Sequence, residues 1–205
     1  AVLLAATMGL TMALTACGGG TAEETTPAGT TPAETTSGGD ETYRVCFVAR
    51  ASADTFAAWL TNEMQAAAEQ YPDIELTCVS GEGDDSIENS LLENAITQQY
   101  DLVIVQSNNN AAQAPYVKQL VDAGIPVITT NPTTHQSDLD GSDDDSVMEG
   151  TGTVDADPVE QARVSAERAV TEVPENGNVV VLRGPSGNYH AEKRREAWDT
   201  YFFSE

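Results

Sequence analysis

Asp54 and Phe56 are the first residues whose types and spacing could do chemistry: a carboxylate that accepts hydrogen bonds and, two positions on, a ring that can stack on a ligand. An apolar run, Val45 to Ala49, and a small-residue loop, Ala51-Ser52-Ala53, precede them, and a helical pattern begins at Asp54. Strand, loop and helix in that order open a βαβ unit. In open parallel sheets ligands bind in the crevice at the carboxyl ends of the strands, where this loop sits. The plainer roles are an N-cap for Asp54 and a core ring for Phe56, and by themselves the two residues favour those roles.

Other reactive residue types form no convincing constellation. Asp138, Asp140 and Glu149 have the spacing of positions one, three and twelve of a calcium loop, but Asp143 stands where the sharp turn needs Gly. His135 and His190 are the two histidines, with no Cys or carboxylate at metal spacing beside them, so neither zinc nor any other metal site is expected. Gly184-Pro185-Ser186-Gly187 lacks the pattern of a nucleophile elbow, and no catalytic group or cofactor site emerges, so the chain reads as a non-enzyme. Cys46 and Cys78 fall on the first two expected strands. A disulfide and two buried thiols are both compatible with the sequence.

The positioning elements alternate strand and helix from Tyr43 onward. The first helix carries Phe56, Trp59, Leu60, Met64, Ala67, Ala68 and Tyr71 on one face and ends at Pro72. Ile74 to Val79 is a second strand. Asp85-Ser86-Ile87-Glu88 has the form of a capping box for a helix reaching about Gln99. Asp101 to Gln106 is a third strand, apolar enough to be covered on both faces, and a helix from about Ala114 to Gly124 follows. Ile125 to Thr130 is a fourth strand. An irregular acidic insertion, Pro132 to about Gly152, precedes a strong helix start at Asp157-Pro158-Val159-Glu160. Asn178 to Leu182 reads as another strand, and a last helix begins near Ala191. Repeated βα units imply an α/β fold with a doubly wound parallel sheet.

The chain has 205 residues and a formal net charge of −24, which repels phosphate backbones and argues against nucleic-acid binding. Residues 1–16 are apolar, small and uncharged, too short to span a bilayer and similar to the apolar region of a secretory signal. Leu14-Thr15-Ala16-Cys17-Gly18 resembles the bacterial lipoprotein signal, so residues 1–17 are expected to be a signal peptide ending at a lipidated Cys17. Residues 18–42, rich in Gly, Thr, Pro, Ala and Glu, would then form a flexible tether from an extracytoplasmic membrane anchor. The chain does not begin with Met and stops just after an aromatic-rich stretch, which suggests that both ends are cut.

From Tyr43 to Phe203 the chain resembles the periplasmic sugar-binding proteins of the ribose/galactose type, the solute receptors of ABC importers. Asp54-Thr55-Phe56 is similar to the Asp-Asn-Phe of the galactose/glucose branch. Val105-Gln106-Ser107-Asn108-Asn109 stands where the family often has Ile-Asn-Pro-x-Asp, and Gln106 keeps an amide donor and acceptor. Thr130-Asn131-Pro132 keeps the Asn of the fourth strand end. Gly187-Asn188-Tyr189-His190-Ala191-Glu192-Lys193-Arg194 resembles Gly-His-Pro-Asp-Ala-Glu-x-Arg.

The resemblance implies two sheet lobes with a hinge. Residues 43–131 would be the N-terminal lobe, 132–153 the acidic insertion and hinge region, and 154–205 the start of an incomplete C-terminal lobe. It implies a monosaccharide ligand, a galactose- or glucose-like hexose favoured, held by Asp54, Phe56, Gln106, Asn131, Asn188, His190 and Arg194, with ABC permease subunits as partners. A pentose, a cyclitol, a non-sugar solute or a sensory receptor role stay as alternatives. The branch's calcium loop is not matched by the short Pro174-Glu175-Asn176-Gly177.

Overall fold

A computed structural model describes residues 42–184 and 186–204; the expected signal segment, Cys17 and the tether up to residue 41 lie outside the described residues. Five strands, β1 Tyr43–Ala49, β2 Ile74–Ser80, β3 Leu102–Val105, β4 Val127–Thr130 and β5 Thr151–Val154, form one parallel sheet in the order β2-β1-β3-β4-β5. Parallel neighbours require crossovers, and the helices α1 Thr55–Ala68, α2 Asp85–Gln98 and α3 Asn110–Asp122 supply them. A short α4, Gln136–Asp140, precedes β5. Then come α5, Pro158–Glu172, and α6, Tyr189–Trp198, which runs into a π-helical turn at Asp199–Phe203.

The central strands β1 and β3 are apolar because both sheet faces are covered there. Val48, Val103 and Val105 pack fully buried with Cys46 against Leu92 of α2 and Val117 and Leu120 of α3. Each such side chain contributes roughly 1.5–3 kcal/mol of burial. The register also decides the cysteine question. Cys46 lies opposite Thr77, and Cys78 lies opposite Phe47. Side chains alternate along a strand, so this one-residue offset sends the two thiols to opposite faces of the sheet, and both are free. Burial, with a smaller contribution from Cys78, pushes the Cys46 thiol up to about 11.

Five local readings of the sequence are corrected. On α1 the inward residue is Ala57, whereas Phe56, Trp59 and Tyr71 are exposed, because the helix turns its small-residue face to the sheet. The cap of α2 is Asp84, which accepts from Ser86 N (2.8 Å) and Ile87 N (3.0 Å), leaving Glu88 to turn inward rather than close a capping box. Helix α3 begins at Asn110, a turn earlier than expected. Gln113 Oε1 accepts the Asn109 N–H at 2.8 Å, which stabilises that extra turn ahead of Pro115. The expected strand at 178–182 does not form: Val180 and Leu182 are 83% and 92% exposed, and among the described residues no strand borders them to complete a ladder.

The fifth correction concerns the acidic insertion. It contains a strand, β5, that pairs with β4 from Val127↔Thr151 to Thr130↔Val154. Its Thr-Gly-Thr-Val sequence carries no apolar signal. Threonine hydroxyls help hold it instead, with Thr153 Oγ1 donating to Thr129 O (3.1 Å) and Thr130 Oγ1 to Val154 O (2.7 Å). The strand is entered through Gly150, whose φ of +85° is costly for other residues, and a Cβ there would meet Val121 Cγ1 at 2.5 Å. Gly150→Ala is therefore expected to destabilise the fold by about 2–4 kcal/mol, the sum of left-handed strain and overpacking. Urea denaturation with unchanged stability in this variant would refute the tight entry. The acids of the insertion serve its turns. Asp138 Oδ2 accepts from His135 N (2.7 Å) and Asn110 Nδ2 (3.1 Å), and Asp140 Oδ1 accepts from Ser142 N (2.9 Å).

Candidate functional site

In the strand order β2-β1-β3-β4-β5 the direction of winding reverses between β1 and β3, and the loops leaving those two strands diverge to opposite faces. A cavity of 590 Å³ opens there. The β1–α1 loop lines it with Arg50, Ala51 and Asp54, the β3–α3 loop with Asn108, and the chain after α5 with Asn188, Arg194 and neighbours. Cavities of about 300–1,000 Å³ suit small ligands, and these linings offer carboxylate, amide and guanidinium groups that fix direction.

Asp54 does cap α1, its Oδ1 accepting the Ala57 N–H at 2.8 Å, and it also lines the cavity, so the two roles coexist. Its Oδ2 takes a 2.9 Å ion pair from Arg50. Desolvation pushes the carboxyl up, but the Ala57 N–H and the Arg50 hydrogen bond and charge outweigh it, and the net shift is down. The carboxylate therefore stays ionised and presents acceptors to solvent at neutral pH. Asn108 donates Nδ2 to Asp85 Oδ1 (2.8 Å), and its N–H goes to Glu88 Oε2 (3.1 Å). Asn188 caps α6, accepting from Ala191 N at 3.1 Å, and lines the cavity from a buried position. Arg194 is exposed on α6 and bonds the Gln161 amide of α5.

Asp54, Asn188 and Arg194 are thus brought together; four other residues singled out in the sequence do not line this cavity. Phe56 is 37% exposed and packs on Trp59, ring centroids 5.5 Å apart. Asn131 takes a φ of +40° at the cis Asn131–Pro132 bond after β4. Gln106 is fully buried at the end of β3, and neither atom of its side-chain amide has a partner among the described residues. His190 is buried, its Nε2 2.8 Å from Asp155 Oδ2, and its Nδ1 is without a partner among the described residues. Asp155 Oδ2 also accepts from Thr133 N (2.6 Å) and Thr133 Oγ1 (2.9 Å). Desolvation of Asp155 is outweighed by His190 and Thr133, which lower its pKa overall. This knot fastens the first turn of α6 to the ends of β4 and β5. Tyr189 adds to it by stacking on His135 at 4.1 Å between centroids.

Sequence reasoning missed Arg50 and Asp155. Arg50 could have been found, since arginine is scarce in this chain and stands four residues before Asp54. Asp155 had no signal, because the strand that presents it was not legible.

The sheet order and the crevice at its reversal define the α/β fold of the type I periplasmic binding proteins. Residues 45–204 match the family described as periplasmic binding protein domain, and the chain belongs to that extracytoplasmic family. It is similar to a solved periplasmic ribose ABC transporter protein from Conexibacter woesei DSM 14684, with 22% identity, TM-score 0.62, and 82% of this chain and 53% of that one covered. A solute-binding protein from Bacillus halodurans C-125 with bound myo-inositol gives 19% identity and TM-score 0.66, covering 82% and 55%. One from Actinobacillus succinogenes 130z with bound D-allose gives 20% and 0.67, covering 79% and 55%. The chain spans about half the length of these solved relatives. No curated protein matches the sequence.

Proposed function

We propose that this chain is the ligand-capturing part of an extracytoplasmic receptor that binds a monosaccharide and delivers it to an ABC importer. The observation that carries the reading is the convergence of Asp54, Asn108, Asn188 and Arg194 on one cavity at the sheet's winding reversal. Sugar hydroxyls are both donors and acceptors. Asp54 accepts, Arg194 donates, and the two amides do both, which is the complement a polyol needs. Solved relatives that carry ribose, allose or inositol in their descriptions support the ligand class. Phe56, Gln106, Asn131 and His190 stay in the proposed ligand set on the loop resemblance alone, since none of them lines the cavity. Residues 43–131 are proposed as the body of the first lobe, to which β5 adds a strand ending at Val154, and the residues that follow, to 205, as the start of the second. Cys17 is proposed as the lipidated anchor on the extracytoplasmic face of the membrane. A hexose of the galactose or glucose kind is the preferred ligand, because Asp54-x-Phe56 and Ala191-Glu192-x-Arg194 tilt that way.

The test is a thermal-shift screen of the full-length protein, without lipid, against hexoses, pentoses, cyclitols and sugar acids. One sugar is expected to raise the melting temperature, since a ligand that binds the native state alone stabilises it. No rise with any of them would sink the monosaccharide reading. With the ligand in hand, Asp54→Ala is expected to weaken binding by about 1.4 kcal/mol or more, since it strands Arg50 and the sugar hydroxyls together. It should also cost about 1 kcal/mol of stability through the lost cap, so affinity and melting temperature are both to be read.

A further inference from the structure

The chain holds nine basic residues against thirty-three acidic ones. Four of the nine, Arg50, Arg183, Arg194 and Arg195, line the 590 Å³ cavity, whereas Asp54 is the single acidic residue among its lining. In a protein this acidic, such a reversal of sign in one cavity speaks to the charge of what enters it.

The pairing of these guanidiniums narrows the charge. Arg50 pairs with Asp54 at 2.9 Å, Arg183 with Glu192, and Arg195 with Asp199 at 2.6 Å. Arg194 bonds the neutral Gln161 amide and, among the described residues, no carboxylate. One guanidinium charge is therefore left over at the cavity. Helix α6 adds to it. Its N-cap, Asn188, is a neutral amide that lines the cavity, and the acid of its first turn, Glu192, is already paired with Arg183.

We propose that the ligand is a monoanionic sugar acid, a sugar carrying one carboxylate, with that carboxylate on Arg194 and its hydroxyls on Asp54, Asn108 and Asn188. The inference rests on the monosaccharide-receptor reading above and narrows its ligand class. A neutral sugar leaves the fork of Arg194 bonded to hydroxyls and its charge unbalanced. A carboxylate takes two parallel N–H···O bonds and balances the charge. A phosphate ester brings close to two negative charges, which one free guanidinium does not balance.

The test is calorimetric titration of the full-length protein at neutral pH with matched sugars: D-galactose and D-galacturonate, D-glucose and D-glucuronate, and the corresponding sugar phosphates. One acid is expected to bind about tenfold or more tighter than its neutral partner and than the phosphate ester, as charge-assisted bonds warrant. Arg194→Gln should shrink the acid-to-neutral ratio to near one, while Arg194→Lys keeps part of it. A neutral sugar or a phosphate that binds as well as the matching acid overturns the sugar-acid assignment and leaves the receptor reading standing. Absence of binding by every member of the panel overturns the receptor reading itself, and the assignment with it.

Discussion

Glu88→Gln is expected to raise the stability of the fold by roughly 3 kcal/mol at neutral pH and to change it little near pH 4. Glu88 is fully buried on α2, with Oε2 accepting the Asn108 N–H at 3.1 Å and Oε1 unpartnered among the described residues. Desolvation, aided by the charge of Asp85, pushes its carboxyl up to about 8, against the Asn108 hydrogen bond and the Arg50 charge that pull it down. In the unfolded chain the same group ionises near an ordinary ~4.3. Between those values the folded state holds a proton that the unfolded state has lost, so stability falls as pH rises and levels off above about 8. Glutamine is neutral in both states and keeps an acceptor for Asn108, so the variant loses that slope. Urea denaturation from pH 4 to 9 reads it directly. Parallel stability curves for the two proteins would show that Glu88 does not hold its proton in the fold. Because Asn108 lines the cavity, this buried acid also underpins the candidate site.

Asp155→Ala is expected to cost about 3–5 kcal/mol, the sum of about 1–3 kcal/mol for each buried donor that loses its carboxylate acceptor. Its carboxylate ties β5 to the β4–α4 loop through Thr133 and to α6 through His190, whose side chain is 3% exposed. Alanine would leave the imidazole buried without its carboxylate and the Thr133 N–H without its acceptor. The net lowered pKa of Asp155 gives the sign of the pH dependence. Its contribution is present above the ordinary carboxylate range and is lost as pH falls through its folded value. The stability gap between wild type and variant should therefore narrow in acid. A cost below about 1 kcal/mol at neutral pH would mean that the first turn of α6 is fastened some other way.

The sheet was legible wherever strands were apolar runs, because burial on both faces writes itself into composition: Val45 to Ala49 and Leu102 to Val105 needed no further signal. It was illegible where pairing rests on hydroxyls and backbone, as in Thr151–Val154. It misled at 178–182, whose Val-Val-Val-Leu run has the strand pattern but no neighbour to pair with among the described residues. At the site, the loop resemblances, rather than residue type alone, pointed to Asp54, Asn188 and Arg194, which line one cavity. They could not foresee that His190 would be taken by Asp155, since that contact bridges 35 positions and depends on the unforeseen strand.

The most direct test of a ligand-binding crevice at the winding reversal is the affinity of Arg194→Ala for the sugar identified by the thermal screen. Arg194 is exposed on α6 and makes no ion pair among the described residues, so its loss should leave the melting temperature of the free protein nearly unchanged. Binding is predicted to weaken by about tenfold or more, roughly 1.4 kcal/mol, as the sugar loses its guanidinium fork. Wild-type affinity in this variant would contradict the account and place the sugar somewhere other than the cavity between Asp54 and α6.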